Sequence, residues 1–137
     1  VDFEDNYYIV EVIAKQHKYF DYWKILILQK YKEYQVSRVF CDSARTEYVQ
    51  GLLDFGINAE NAKKDVKEGI DLVGAMYKRN ALKITEKAFK GKFEDEIYSY
   101  VWGKNDEPVK ENDDVMDAIR YVLYSLKKDE GGIAYLY

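Results

Sequence analysis

Three aspartates are the residues of this sequence whose type and spacing indicate chemistry. Asp42 directly follows the apolar residues 39–41, and in open α/β sheets ligands bind where a strand ends and a helix begins. Asp114 and Asp117, three positions apart, share one face at the start of the last predicted helix. Mg²⁺ and Mn²⁺ bind carboxylate oxygens and keep waters for substrate phosphate. The pattern favours phosphodiester hydrolysis, in which two metals about 4 Å apart hold the attacking and leaving oxygens.

The same acidic residues have a purely structural interpretation. Asp42 is a good N-cap residue for the helix that follows it, and residues 112–114 are good caps for the last helix. Acids in the first turn also stabilise a helix by facing the positive end of its dipole. The residue pattern alone leaves both interpretations open.

The segments that must position these aspartates alternate between strand and helix patterns. Strands are predicted at residues 6–14, 37–41, 57–60 and 81–84, and the first is expected to leave a hairpin whose other arm lies at or before Val1. Helices are predicted at residues 19–34, 44–54, 66–77, 86–101 and from 112 to about 126, with a loop at 103–111 and a loose tail at Gly131-Gly132. Alternation of this kind predicts an α/β sheet flanked by helices.

Composition limits the class of protein. The 137 residues are 47% hydrophobic and 34% charged, which fits a single domain spanning residues 1–137. No segment has the apolar length of a membrane span or the layout of a signal peptide. The lone Cys41 excludes an internal disulfide, and with a single histidine, His17, a Cys/His zinc site is excluded too. We expect a protein of the reducing cytoplasm; its net charge of −4 neither supports nor excludes a DNA substrate.

Two groups of residues in the sequence form motifs. The central group is Cys41-Asp42-Ser43-Ala44-Arg45-Thr46-Glu47-Tyr48, Gly56-Ile57-Asn58-Ala59 and Ala62-Lys63-Lys64. The closing group is Tyr100-Val101-Trp102, Glu107-Pro108-Val109 and the run from Glu111 to Tyr121. Both groups resemble motifs of tailed-phage terminase large subunits, the first a motif close to C-D-S-A-R-P-E and the second the motif E-N-D-H-x-x-D-A-x-R-Y. The order and spacing of the motifs agree over nearly the whole chain.

This resemblance implies a ribonuclease H-like nuclease domain that uses Mg²⁺ or Mn²⁺ to cut concatemeric viral DNA during genome packaging. Asp42 matches the second catalytic carboxylate, Asp114 the position that closes the metal site, and Asp117 the acid one turn further on. We expect the three to converge at one site. Lys63 and Lys64 could line the DNA groove or form a solvated basic pair. The implied partners are double-stranded DNA, the portal and the small terminase subunit, in the host cytoplasm at the procapsid.

Two departures from the family pattern bear on activity. The first catalytic Asp of the family lies on a strand expected ahead of Val1, and no G-x-x-x-x-G-K-[ST] loop of an ATPase domain occurs. We therefore expect a partial nuclease domain with weak or no cutting by the isolated chain. Two alternatives stay open: a noncatalytic packaging or portal-docking module, and a resolvase-like nuclease acting on branched DNA.

Overall fold

The computed structural model describes residues 4–42, 46–91, 94 and 114–133, with side chains of the last segment as far as residue 128. Strands and helices alternate along it, which confirms the predicted α/β class. The strands are β1 (Tyr7–Ile9), β2 (Val39–Cys41), β3 (Ala59–Asn61) and β4 (Leu82–Ile84). The helices are α1 (Phe20–Glu33), α2 (Thr46–Asp54), α3 (Val66–Lys78), α4 (Glu86–Phe89) and α5 (Asp114–Ile133).

The chain divides into two compact units. One comprises residues 15–63 and is called the 15–63 unit; the other comprises residues 1–14 with 64–137 and is called the α3–α5 unit. Each has its own cluster of buried apolar side chains. The single domain expected from the composition stays a prediction.

The 15–63 unit is built around a strand, helix, strand sequence. β2 and β3 pair in parallel, and α2 supplies the crossover that parallel neighbours need. α2 ends where Gly56 adopts a φ of 87°, a left-handed conformation that glycine tolerates, and the Ile57 N–H returns to the Leu52 carbonyl at 3.0 Å. This turn directs Ile57 into the core beside Leu52 and Ala59. The side chains that pack around these three are Phe20, Ile27, Leu28, Tyr31, Val39, Cys41 and Val49.

The α3–α5 unit buries one face of each of its two long helices. Its strands β1 and β4 pair in parallel, with Tyr7 opposite Leu82 and Ile9 opposite Ile84. Apolar side chains spaced for one helix face, such as Val73 and Met76 on α3, meet those of α5. The buried members of this core are Tyr7, Val73, Met76, Ala81, Leu82, Val115, Ile119 and Leu123. This packing fixes the start of α5, where Asp114 and Asp117 lie.

The first strand is shorter than the sequence predicts. Residues 6–14 were expected to be extended, but only Tyr7–Ile9 pair as a strand. Their partner β4 ends at Ile84, and Thr85 then caps α4 by accepting the Ala88 N–H at 3.1 Å. Thr85 Oγ1 also donates to the Val10 carbonyl at 3.0 Å, so a side chain replaces the next backbone hydrogen bond and the pairing of β1 with β4 ends there. The predicted hairpin arm at or before Val1 lies outside the described residues.

Two helix predictions need correction. The helix expected over residues 86–101 is interrupted after Phe89, because Lys90 is extended and Gly91 has a φ of 95°. Glu94 is helical again, and the predicted end near residue 101 lies outside the described residues. The last helix was expected to end near residue 126, with Gly131-Gly132 in a loose tail, but α5 continues to Ile133. Glycine lowers helix propensity by only about 1 kcal/mol per residue, so it need not end a helix. The predicted loop at 103–111 lies outside the described residues.

Among the helices the structure describes, none combines the length and the apolar composition needed to cross a bilayer.

Candidate metal centre

Asp42 lies where the parallel pair of the 15–63 unit ends. The last paired residues are Cys41 and Asn61, and the Ala62 N–H donates to the Cys41 carbonyl at 2.9 Å. Residues that follow β2 and β3 therefore leave from the same edge, and Asp42 and Lys63 are both exposed there. The predicted placement of Asp42 at the carboxyl end of a strand is confirmed.

The two faces of the β2–β3 pair differ. Cys41 faces the apolar core, and burial raises the pKa of its thiol above the ordinary value. Next to the pair, an Arg38 guanidinium nitrogen lies 2.7 Å from Glu60 Oε1, and the guanidinium stacks 4.7 Å from the centre of the Phe40 ring. Glu60, which lies near Asp42 in the fold, thus forms an ion pair with this cation.

The second acidic group lies in the first turns of α5. Asp114 is the first residue of the helix and is exposed. Asp117 follows one turn later, its side chain 21% exposed, with Oδ1 3.2 Å from Nη1 of Arg120. Both carboxylates are near the positive end of the helix dipole, which stabilises negative charge. The two acids thus differ: Asp114 faces solvent, whereas Asp117 is held partly inside the unit by an arginine.

Arg120 is the arginine of the closing motif, to which the sequence analysis assigned no role. It is only 4% exposed, and its guanidinium lies 4.9 Å from the Tyr121 ring centre. Its stem runs against Gly69 of α3, where an added Cβ would be 2.7 Å from Arg120 Cγ. The available signal was its position among the apolar residues of α5, since it lies beside Ile119 and three before Leu123. A charge on an apolar helix face indicates a buried, paired group.

The predicted convergence of the aspartates stays a prediction. Asp42 belongs to the 15–63 unit and the other two to the α3–α5 unit. No cluster of three or more Asp, Glu, His or Cys suited to a metal occurs within the described part of the chain. Exposed carboxylates such as Asp42 and Asp114 are nevertheless the donors that a hard cation takes.

Lys63 and Lys64 are exposed, and their contact with DNA also stays a prediction. Residues 43–45 and 100–113 of the motifs lie outside the described residues.

Solved structures of phage large terminases have a similar fold. The large terminase of a thermophilic bacteriophage is 25% identical over 76% of this chain, with a TM-score of 0.68. The complex of that terminase with ATP-γ-S is 24% identical over 79%, with a TM-score of 0.70. The nuclease domain of the P22 large terminase is 20% identical over 93% of this chain and 71% of its own, with a TM-score of 0.70.

These similarities confirm the predicted resemblance to phage large terminases and show that the fold is like that of the P22 large terminase nuclease domain. The chain spans 28% of the length of the thermophilic-phage terminase in the first of these structures and 29% in the complex with ATP-γ-S. Neither a protein-family model nor a curated protein matches the chain.

Proposed function

We propose that this chain is a divalent-metal-dependent DNA endonuclease domain that acts on concatemeric viral DNA during phage genome packaging. The observation that carries the proposal is the fold similarity to the P22 large terminase nuclease domain over 93% of the chain. The acidic ends of β2 and α5 support it, because they supply Asp42 and Asp114 as exposed carboxylates on separate elements.

The proposed roles follow from the environments of the side chains. Asp42 and Asp114 would bind Mg²⁺ or Mn²⁺ directly because both are exposed, and Asp117, whose side chain is 21% exposed, would be the third ligand. Bound metal in such sites activates water and stabilises charge on the leaving oxygen. Lys63 and Lys64 would contact backbone phosphates, so binding to double-stranded DNA should weaken as salt rises. The portal and the small terminase subunit are the protein partners that the resemblance implies.

The test combines metal binding with cleavage. Mn²⁺ binding is measured by titration calorimetry, and nicking of supercoiled plasmid is followed with and without Mn²⁺. Asp42→Asn and Asp114→Asn should each weaken Mn²⁺ binding and lower any nicking, because each removes a charged ligand. Asp71→Asn, which neutralises an exposed acid on α3, is the matched control and should change neither.

The outcomes separate the alternatives. Salt-dependent DNA binding without Mn²⁺ binding would favour the noncatalytic packaging module. Cutting of branched DNA in strong preference to linear DNA would favour the resolvase-like enzyme. Nicking that persists unchanged in Asp42→Asn and Asp114→Asn would contradict the proposed site.

A further inference from the structure

The Asp117 side chain lies at the boundary between the interior and the surface of the α3–α5 unit. Its Oδ1 is buried and lies 3.2 Å from Nη1 of Arg120, whereas the side chain as a whole keeps 21% of its area exposed. One carboxylate oxygen thus lies inside the unit next to a cation, while part of the side chain still reaches solvent.

Arg120 reaches this oxygen from within the unit. Its Cγ and Cδ lie 2.7 and 2.8 Å from the point where a side chain on Gly69 would begin, so α3 leaves space for it only because residue 69 has no Cβ. On its other side the guanidinium lies over the Tyr121 ring. Enclosed in this way, Arg120 has little freedom to turn, and its Nη1 lies within ion-pair distance of Asp117 Oδ1.

This burial is unfavourable for stability taken alone. Nε and Nη1 of Arg120 are buried without a hydrogen-bond partner among the described residues. Buried N–H groups without partners destabilise a fold, and an ion pair compensates only partly for the lost hydration. An arrangement that is costly for folding and fixes one carboxylate is better explained by the orientation of Asp117 than by stability.

We propose that Arg120 is a positioning residue that holds the buried oxygen of Asp117, so that this partly exposed side chain keeps a constant orientation toward a divalent cation. The proposal rests on the function proposed above. It assigns to Arg120 no contact with metal or DNA. Groups that orient a metal ligand in this way commonly change metal affinity by about 10- to 100-fold when removed.

The test is a double-mutant cycle on Mn²⁺ affinity, measured by titration calorimetry on the full chain. Arg120→Met, which keeps an apolar stem and loses the charge, should weaken Mn²⁺ binding by about tenfold. In the Asp117→Asn background the same substitution should have no further effect, because the group it orients is already gone. Arg120→Lys should bind with intermediate affinity, since it keeps the charge but loses the planar fork. Arg79→Met, on an exposed arginine, is the control and should bind as the wild type does.

Folding is checked for every variant by far-ultraviolet circular dichroism. If Arg120→Met does not fold, Gly69→Ala provides the same cycle, because it displaces the Arg120 stem without removing a charge. A folded Arg120→Met or Gly69→Ala chain that binds Mn²⁺ like the wild type overturns the inference, as does an equal loss in the Asp117→Asn background. Failure of the wild type itself to bind Mn²⁺ overturns the proposed function and this inference together.

Discussion

The carbonyl of Cys41 accepts the amide hydrogen of Ala62 at 2.9 Å, one step beyond the last paired residues of β2 and β3. This bond extends the parallel ladder to the point where the chain reaches Asp42 on one strand and Lys63 on the other. Backbone hydrogen bonds, rather than side-chain packing, therefore bring an acidic and a basic candidate group to one edge. A carboxylate placed by a sheet edge is held more rigidly than one on a loop, which favours a metal ligand.

Mn²⁺ should raise the melting temperature of the chain if the proposed ligands bind it. A ligand that binds only the folded state stabilises it by about 2.7 kcal/mol at one hundred times its dissociation constant. Asp42→Asn and Asp114→Asn should each reduce this shift, whereas Asp71→Asn should not. Differential scanning calorimetry at several millimolar concentrations of Mn²⁺ measures the shift in melting temperature.

The double variant tests the predicted convergence of Asp42 with Asp114. If both carboxylates bind the same ion, the variant with both substitutions should lose little more of the Mn²⁺-induced shift than either single variant, because the first substitution already removes the site. Two independent, additive losses would mean that the two aspartates do not share a metal.

Much of the fold could be predicted from the sequence where the signals are local. The strand before Asp42 follows from its apolar residues, and the end of α2 follows from Gly56, whose left-handed φ few other residues adopt. The length of β1 could not be predicted, since it depends on where Thr85 ends the distant partner strand. Pairing between strands that are far apart in the sequence leaves no signal in the residues of either strand.

The candidate site could be predicted only in part for the same reason. Asp42, Asp114 and Asp117 are visible as acids at element ends, and the motif resemblance gave them roles. The partnership of Arg120 with Asp117 depends on the space that Gly69 leaves on another helix. The motif and the apolar neighbours of Arg120 are visible in the sequence, but the space at Gly69 is apparent only once α3 and α5 are packed together, so this contact required the structure.

Core substitutions in the two units test whether the chain folds as one domain. Leu52 and Met76 are fully buried, one in each unit, and replacing either by alanine should lower the free energy of unfolding by about 2–5 kcal/mol. We expect both variants to shift one common urea transition. Two transitions, of which Leu52→Ala moves one and Met76→Ala the other, would show that the units unfold separately.

Tyr124 should make the free energy of unfolding depend on pH in the alkaline range. Its hydroxyl donates a hydrogen bond to Glu68, and that bond together with burial raises the pKa of Tyr124 above the ordinary value of about 10. The folded state thus holds the proton more tightly than the unfolded state. The resulting stability is fully present below about pH 10 and declines as the pH rises above it.

Tyr124→Phe removes this contribution while leaving the other thirteen of the fourteen tyrosines in place. The variant should be less stable than the wild type at pH 7, and the difference should shrink between about pH 10 and 11. Urea unfolding midpoints at several pH values measure it. A difference that stays constant over that range would mean that Tyr124 is not the group that titrates.

Cys41 should react slowly with alkylating reagents in the folded chain. Burial raises the pKa of its thiol, and the thiolate is the reactive form. At pH 8 the rate of carboxamidomethylation by iodoacetamide should therefore be lower in buffer than in concentrated urea, as followed by mass spectrometry. Equal rates would show that the edge of β2 opens readily and that Asp42 is not held by a stable strand.

Two glycines of α3 provide a matched pair for the last prediction. Gly69 and Gly74 both lie inside the helix, where alanine raises helix propensity by about 1 kcal/mol. A Cβ at Gly74 meets nothing within 4 Å, so Gly74→Ala should stabilise the chain by about that amount. A Cβ at Gly69 would lie 2.7 Å from Arg120 Cγ, and because Arg120 is buried, displacing its stem disturbs the packing around it. Overpacking of this kind costs about 1–3 kcal/mol, so Gly69→Ala should be neutral or destabilising despite its better propensity. Urea unfolding of both variants decides the matter: a Gly69→Ala chain as stable as Gly74→Ala would mean that Arg120 can leave the interface and does not hold Asp117.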